Sequence, residues 1–237
     1  MKKLKPLNIL DNKGFWPDKA AVADAIKQVL ALGGYSAPLR VQDWGRYRGP
    51  QWRDKNNNLV PWQSVDWYVY DALDEERMQV DSNRVLHDLA NEPWRDDKLL
   101  GEHYDLLMLE EDMYDSLAGE EPSGVPYVVG QSRHLSAAVI STHRIEHIWG
   151  APYSNVKTEV MRQLCFMFGI PRGDREDTSE GPNERVYCSN ICILRRAVLA
   201  PKDWEGLTRA RLKHGALCQS CRRDLTEFFL MAAQETK

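Results

Sequence analysis

Residues 155–172 read NVKTEVMRQLCFMFGIPR, and the architecture turns on them. Val156, Val160, Leu164 and Met167 recur at helical spacing and share one face. Cys165, Phe166 and Phe168 widen that face beyond the stripe of a surface helix, so a helix over about 155–168 is expected to run through the core. Gly169 follows the last periodic residue, where a left-handed residue ends a helix. Cys165 reads as a small buried hydrophobe, because apolar surroundings raise a thiol's pKa and blunt it as a nucleophile.

Outward from this helix, the runs Tyr104–Leu109, Tyr127–Val129 and Ala137–Ile140 are short and apolar, as buried strands are. Leu7–Leu10, Leu39–Val41 and Trp67–Tyr70 add candidate strands near the N-terminus. A first helix is predicted after Pro17-Asp18, with Val22, Ile26, Val29 and Leu30 on one face and Gly33-Gly34 as its stop. A second spans about Ser82–Asn91 and is ended by Pro93. Residues 43–66 lack a usable period and read as a long loop covering the core with Trp44, Trp52 and Trp62. Residues 172–185 read as a polar loop, and two helices near 203–213 and 222–233 close the chain. Strands and helices alternate early and helices dominate late. That pattern predicts an α/β (α+β) single domain over 1–237. Its parts are an N-terminal α/β part with a Trp-rich loop (1–70), a sheet with the central helix (80–172) and a C-terminal cysteine-bearing segment (186–237).

The chain has 237 residues, 43% hydrophobic and 28% charged, which excludes collagen-like, coiled-coil and wholly disordered classes. A chain of this length buries a large core without disulfide staples. No apolar run approaches the ~20 residues of a membrane span. The start, Met1-Lys-Lys-Leu-Lys-Pro6, has basic residues with no apolar segment behind them, unlike a signal peptide, so a cytoplasmic location is expected. The net charge of −4 hides opposed blocks, with 17 acidic against 4 basic residues over 71–121 and 10 basic against 5 acidic over 185–237. The basic block, with Arg195, Arg196, Arg209, Arg211, Arg222 and Arg223, is a candidate nucleic-acid face, but the overall acidity argues for ordinary solvated surfaces.

The strongest chemical signal is Cys188-Ser-Asn-Ile-Cys192 with Cys218-Gln-Ser-Cys221. Tetrahedral zinc takes four sulfur ligands, and two close cysteine pairs on separate turns supply them. One structural zinc ion is therefore expected. His143 and His147, with Glu146 between them, form an alternative pair, but the strand-like run before His143 places it at a strand end, where i,i+4 adjacency is lost. His87, His103, His134 and His214 are scattered, and no GxSxG, GxxxxGK[ST] or GxGxxG motif is present.

Tyr104-Asp-Leu-Leu-Met-Leu, Gly130 and Ala137-Ala-Val-Ile-Ser-Thr-His-Arg-Ile, followed by the helix and its Gly169, resemble the archaemetzincins, zinc-peptidase-like proteins of the metzincin clan. Cys192-Ile-Leu resembles that family's Cys-x-Met, and Cys218-x-x-Cys221-Arg-Arg its terminal cysteine pair; the likeness covers roughly residues 80–230. It implies a zincin-like domain, a mixed sheet over a central helix with a cysteine-bound zinc segment, and peptide bound along the sheet edge by strand addition. The family's helix carries HExxHxxGxxH. In that frame the three histidines fall on Arg162, Phe166 and Arg172, and the glutamate on Gln163. Guanidiniums and a phenyl ring cannot ligate zinc, and an amide cannot act as a general base. A register beginning at Thr158-Glu159 does not restore the site either. The resemblance thus implies an inactive peptide- or protein-binding member. Two alternatives accompany it: a repurposed cleft in which Arg162 and Arg172 converge on an anionic substrate, and nucleic-acid binding through the basic C-terminal region.

Overall fold

A computed structural model describes residues 4–12, 19–37, 39–46, 56–58, 64–91, 102–117, 127–148, 151–181, 185–197 and 202–234. Trp52, Trp62, Pro17, Asp18 and Pro93, invoked above, lie outside them. The chain begins with β1 (Leu7–Asp11), α1 (Lys19–Leu32), β2 (Val41–Gly45) and α2 (Val65–Ala72). A small ribbon of β3 (Leu73–Asp74) and β4 (Gln79–Asp81) leads to α3 (Ser82–Ala90), then β5 (Tyr104–Leu109) and β6 (Met113–Tyr114). Next come β7 (Gly130–Arg133), β8 (Ala137–Ser141), α4 (His143–Ile148) and α5 (Pro152–Met167). A hairpin of β9 (Thr178–Glu180) and β10 (Val186–Cys188) precedes α6 (Lys202–His214) and α7 (Gln219–Gln234).

The main sheet has five strands in the order β2-β1-β5-β8-β7, parallel except for β7, which runs antiparallel along the edge beside β8. Both faces are covered at the centre, so the inner strands β5 and β8 are buried on both sides. All six residues of β5 are buried. Leu106 and Met108 join Ala138 and Ile140 in a cluster with α1 and α5, while Leu107 and Leu109 join Ala137 and Val139 in a second cluster with α2 and α3. The first cluster also contains Leu4 and Phe229, so the first and last elements share one core. No helix among the described residues is long and apolar enough to cross a membrane.

Four local expectations are corrected. Trp67–Tyr70 is helical, within α2: Val65, Tyr68 and Ala72 share a buried helical face, and the Ser64 side chain caps the start by accepting from the Asp66 amide. The run 127–129 contributes only an isolated bridge from Val128 to Met113, and the edge strand begins at Gly130. The 172–185 loop contains β9 and delivers the chain into β10. His143 opens α4 rather than ending a strand, so it and His147 lie four apart within one helix, and the side chains of Glu146 and His147 lie outside the described set.

The central helix α5 ends as its sequence implies. Gly169 is left-handed at φ +77, its amide donates to the Phe166 carbonyl, and the Ile170 amide donates to the Cys165 carbonyl. At the end of α1, Gly33 lies against α7: a Cβ there would come within 2.4 Å of the Phe229 ring and 2.9 Å of Leu225 Cγ. Overpacking of this kind costs about 1–3 kcal/mol. Gly33→Ala is therefore expected to lower the unfolding free energy by that amount, read as a lower urea midpoint, and Gly33→Ala combined with Phe229→Leu to recover part of it. An unchanged midpoint in the single variant would show that α7 is not seated on α1 as described.

Candidate functional site

Four sulfurs meet where the hairpin, the following turn and the last helix converge. Cys188 ends β10, Cys192 sits in the turn after it, Cys218 precedes α7 and Cys221 lies in its first turn. Their Sγ atoms all lie within 4.8 Å of one another, with Cys188 to Cys218 at 3.7 Å and Cys192 to Cys221 at 3.9 Å. Sulfurs about 2.3 Å from a tetrahedral zinc are about 3.8 Å apart, so the donor set fits that ion. Backbone amides point at the ligands: Asn190 N–H donates to Cys188 Sγ at 3.4 Å and Leu194 N–H to Cys192 Sγ at 3.3 Å. The thiols cannot ionise independently. Hydrogen bonds from Cys192 and Cys221 hold the Cys188 thiol far below its ordinary range, and the same sharing pushes Cys192 up to about 12 and raises Cys221.

Arg175 packs against this cluster, a contact the cysteine spacing does not announce. Its Nη1 lies 3.5 Å from Cys221 Sγ and its Nη2 3.7 Å from Cys188 Sγ, while Asp177 and Asp224 take further N–H groups. Burial opposes its charge, yet the hydrogen bonds to Asp177, Cys221 and Asp224 raise its pKa overall. Four thiolates around a divalent ion leave two negative charges, and a buried guanidinium offsets part of that excess.

The four helix and turn positions singled out by sequence are engaged in packing or in ion pairs. Arg162 is 4% exposed, and its Nη1 donates to the carbonyls of Ile193 and Arg195, each at 2.8 Å, which ties α5 to the turn after Cys192. Burial lowers its pKa, an effect that Glu159 partly counters. Gln163 donates from Nε2 to Glu159 Oε1 at 2.7 Å, and Gly130 of the edge strand lies so near that a Cβ there would be 2.5 Å from that oxygen. The Phe166 ring has the Arg162 guanidinium 5.0 Å and the Arg185 guanidinium 5.1 Å from its centre. Arg172 pairs with Asp174 at 2.8 Å and Glu227 at 2.9 Å.

A cleft of about 550 Å³ opens along the edge strand, lined by α3, β7, the turn after α5 and the start of β10. Phe166, Gly169, Ile170 and Pro171 form part of its wall, but neither Arg162 nor Arg172 lines it. The expected convergence of those two arginines on an anion is thus corrected: one is drawn inward by unpaired backbone carbonyls, the other outward by two carboxylates. Part of the basic C-terminal block is likewise spent within the fold. Arg211 donates to Thr158 Oγ1 and the Ser154 carbonyl, Arg222 to the Leu32 carbonyl, and Arg209 pairs with Glu205. Cys165 is fully buried with its thiol pKa pushed up by burial, as a core residue's would be.

Among solved structures, the chain is similar to a crystal structure of archaemetzincin from Methanopyrus kandleri, with a TM-score of 0.61 and 17% identity over 96% of each chain. The fold is therefore archaemetzincin-like. No protein-family model and no curated protein matches the sequence.

The buried guanidinium at 162 generates a stability prediction. Arg162→Met keeps the apolar stem and the contact with Phe166 but strands two carbonyls, each costing about 1–3 kcal/mol. The variant is expected to lose about 2–5 kcal/mol in chemical denaturation. A loss no larger than that of an exposed arginine such as Arg209→Met would show that the Arg162 carbonyl bonds do not hold the turn.

Proposed function

We propose that this chain is a catalytically inactive, archaemetzincin-like protein that binds peptide or protein segments and carries one structural zinc ion on Cys188, Cys192, Cys218 and Cys221. A single observation carries the reading. The positions that the family resemblance assigns to the zinc ligands and general base are Arg162, Phe166, Arg172 and Gln163, and each is engaged in packing or pairing. None offers a lone pair suited to a catalytic zinc, which needs three protein ligands and an open position for water. The edge strand and the cleft beside it remain, and strand addition uses the free hydrogen-bonding edge of a sheet rather than any catalytic group.

Zinc on the cysteine cluster would be closed by four sulfurs, so it would contribute folding energy and no Lewis-acid chemistry. Asn190 and Leu194 amides would orient the ligands, and Arg175 would offset their charge. The domain boundaries and a cytoplasmic location belong to the same proposal.

Elemental analysis of the purified protein, combined with incubation against a broad peptide library read by mass spectrometry, tests this reading. One zinc per chain and intact peptides are expected. Two zinc ions per chain, or cleavage that a chelator abolishes, would overturn it. Chelation and Cys218→Ser should both remove the zinc and strip hydrogen-exchange protection from β10 and the first turns of α7, while β5 and β8 stay protected.

A further inference from the structure

We infer that the cleft along β7 selects acidic peptide segments, with the Arg185 guanidinium as its principal carboxylate receptor; this rests on the peptide-binding reading above and adds the chemistry of the ligand. The chain is acidic overall, yet the cleft is not. Arg133, Arg185, His87 and His134 line it, and among the described residues no aspartate or glutamate does. Arg133 and Arg185 form no ion pair among the described residues.

Arg185 is half-buried and held in place. Its Nη2 donates to the Ser132 carbonyl at 3.0 Å and its guanidinium lies over the Phe166 ring, and among the described residues no carboxylate takes the rest of the fork. A planar cation fixed on a ring and a carbonyl has already lost much of its rotamer freedom, so it takes a carboxylate at little further entropic cost.

The backbone places this cation at a defined point of the groove. Ser141 N–H donates to the Val129 carbonyl, and β7 and β8 pair as Gly130 with Ile140 and Ser132 with Ala138. Antiparallel ladders alternate, so the N–H and C=O of Gly130 and Ser132 turn away from β8 to the free edge, and Ser132 lines the cleft there. The Arg185 bond to the Ser132 carbonyl is what that alternation requires. A peptide laid along β7 can pair with Gly130, but at Ser132 it meets a guanidinium where a strand would offer its own N–H. A carboxylate at that register satisfies the remaining guanidinium donors. The Ser132 hydroxyl, whose oxygen is buried without a hydrogen-bond partner, is a further donor there. Leu86, Ile170 and Val186 supply an apolar floor suited to the intervening side chains. More than one cation lines the groove, which favours several acidic side chains over a single terminal carboxylate.

The test uses the intact protein and two fluorescein-labelled peptides, one alternating Glu and Thr and one alternating Gln and Thr, read by anisotropy, with oligo(dT) as competitor. The Glu peptide should bind at least about tenfold more tightly, with an affinity that falls as salt rises. Arg185→Gln should weaken it about tenfold to a hundredfold, the worth of a lost charge-assisted pair. Arg133→Gln, at an exposed position that cannot unseat the fold, should weaken it by a smaller factor. Equal binding of the two peptides overturns the acidic selection and leaves the peptide-binding reading standing. Binding of neither overturns both. Displacement by oligo(dT) at lower concentration than unlabelled Glu peptide assigns the cleft to nucleic acid, and indifference to both arginine variants moves the site elsewhere.

Discussion

The guanidinium of Arg162 is a charge taken out of water at the centre of the molecule, and much of the surrounding structure follows from satisfying it. Its partners are the carbonyls of Ile193 and Arg195, so the central helix is pinned to the turn after Cys192. That turn also presents Cys192, donates an amide to its sulfur from Leu194, and joins the loop before α7 through the Ile193 amide on the Ala216 carbonyl. One side chain thus connects the core helix, the cysteine cluster and the last helix. At the helix position that the family resemblance assigns to an imidazole, this chain has a side chain that organises its neighbourhood by donating hydrogen bonds.

Packing around Arg162 leaves some polar atoms unsatisfied. Arg162 Nε and Gln163 Oε1 are buried without a hydrogen-bond partner, and Phe166 lies between two cations. Each such unsatisfied buried atom costs stability. Gly130 lets the helix approach the edge strand closely, and the hairpin that ends in Cys188 carries Arg185 into the cleft. The cysteine cluster and the cleft are therefore joined by three residues of β10.

Long, locally coded elements were legible from sequence. The helix over 155–168 appears as α5, and the apolar runs at 104–109 and 137–140 are the central strands β5 and β8, because hydrophobic period and a glycine stop act within a few residues. The cysteine cluster was legible for the same reason: ligand spacing is a local property. What escaped depends on distant partners. The α2 segment is short enough that its apolar residues fit strand or helix, and the Ser64 cap decides. The edge strand Gly130–Arg133 is polar because one side faces the cleft, so apolar runs pointed to 127–129 instead. Arg175 and Arg185 sit in a stretch that reads as a polar loop, and only the fold brings them to the sulfurs and to β7.

Zinc K-edge X-ray absorption on the protein as purified tests the central claim most directly. An archaemetzincin-like fold whose remaining metal centre is the cysteine cluster predicts a pure sulfur shell of four atoms at about 2.3 Å. A mixed shell, with nitrogen or oxygen scatterers near 2.0–2.1 Å, would mean that histidine or water also ligates zinc, and would contradict the account.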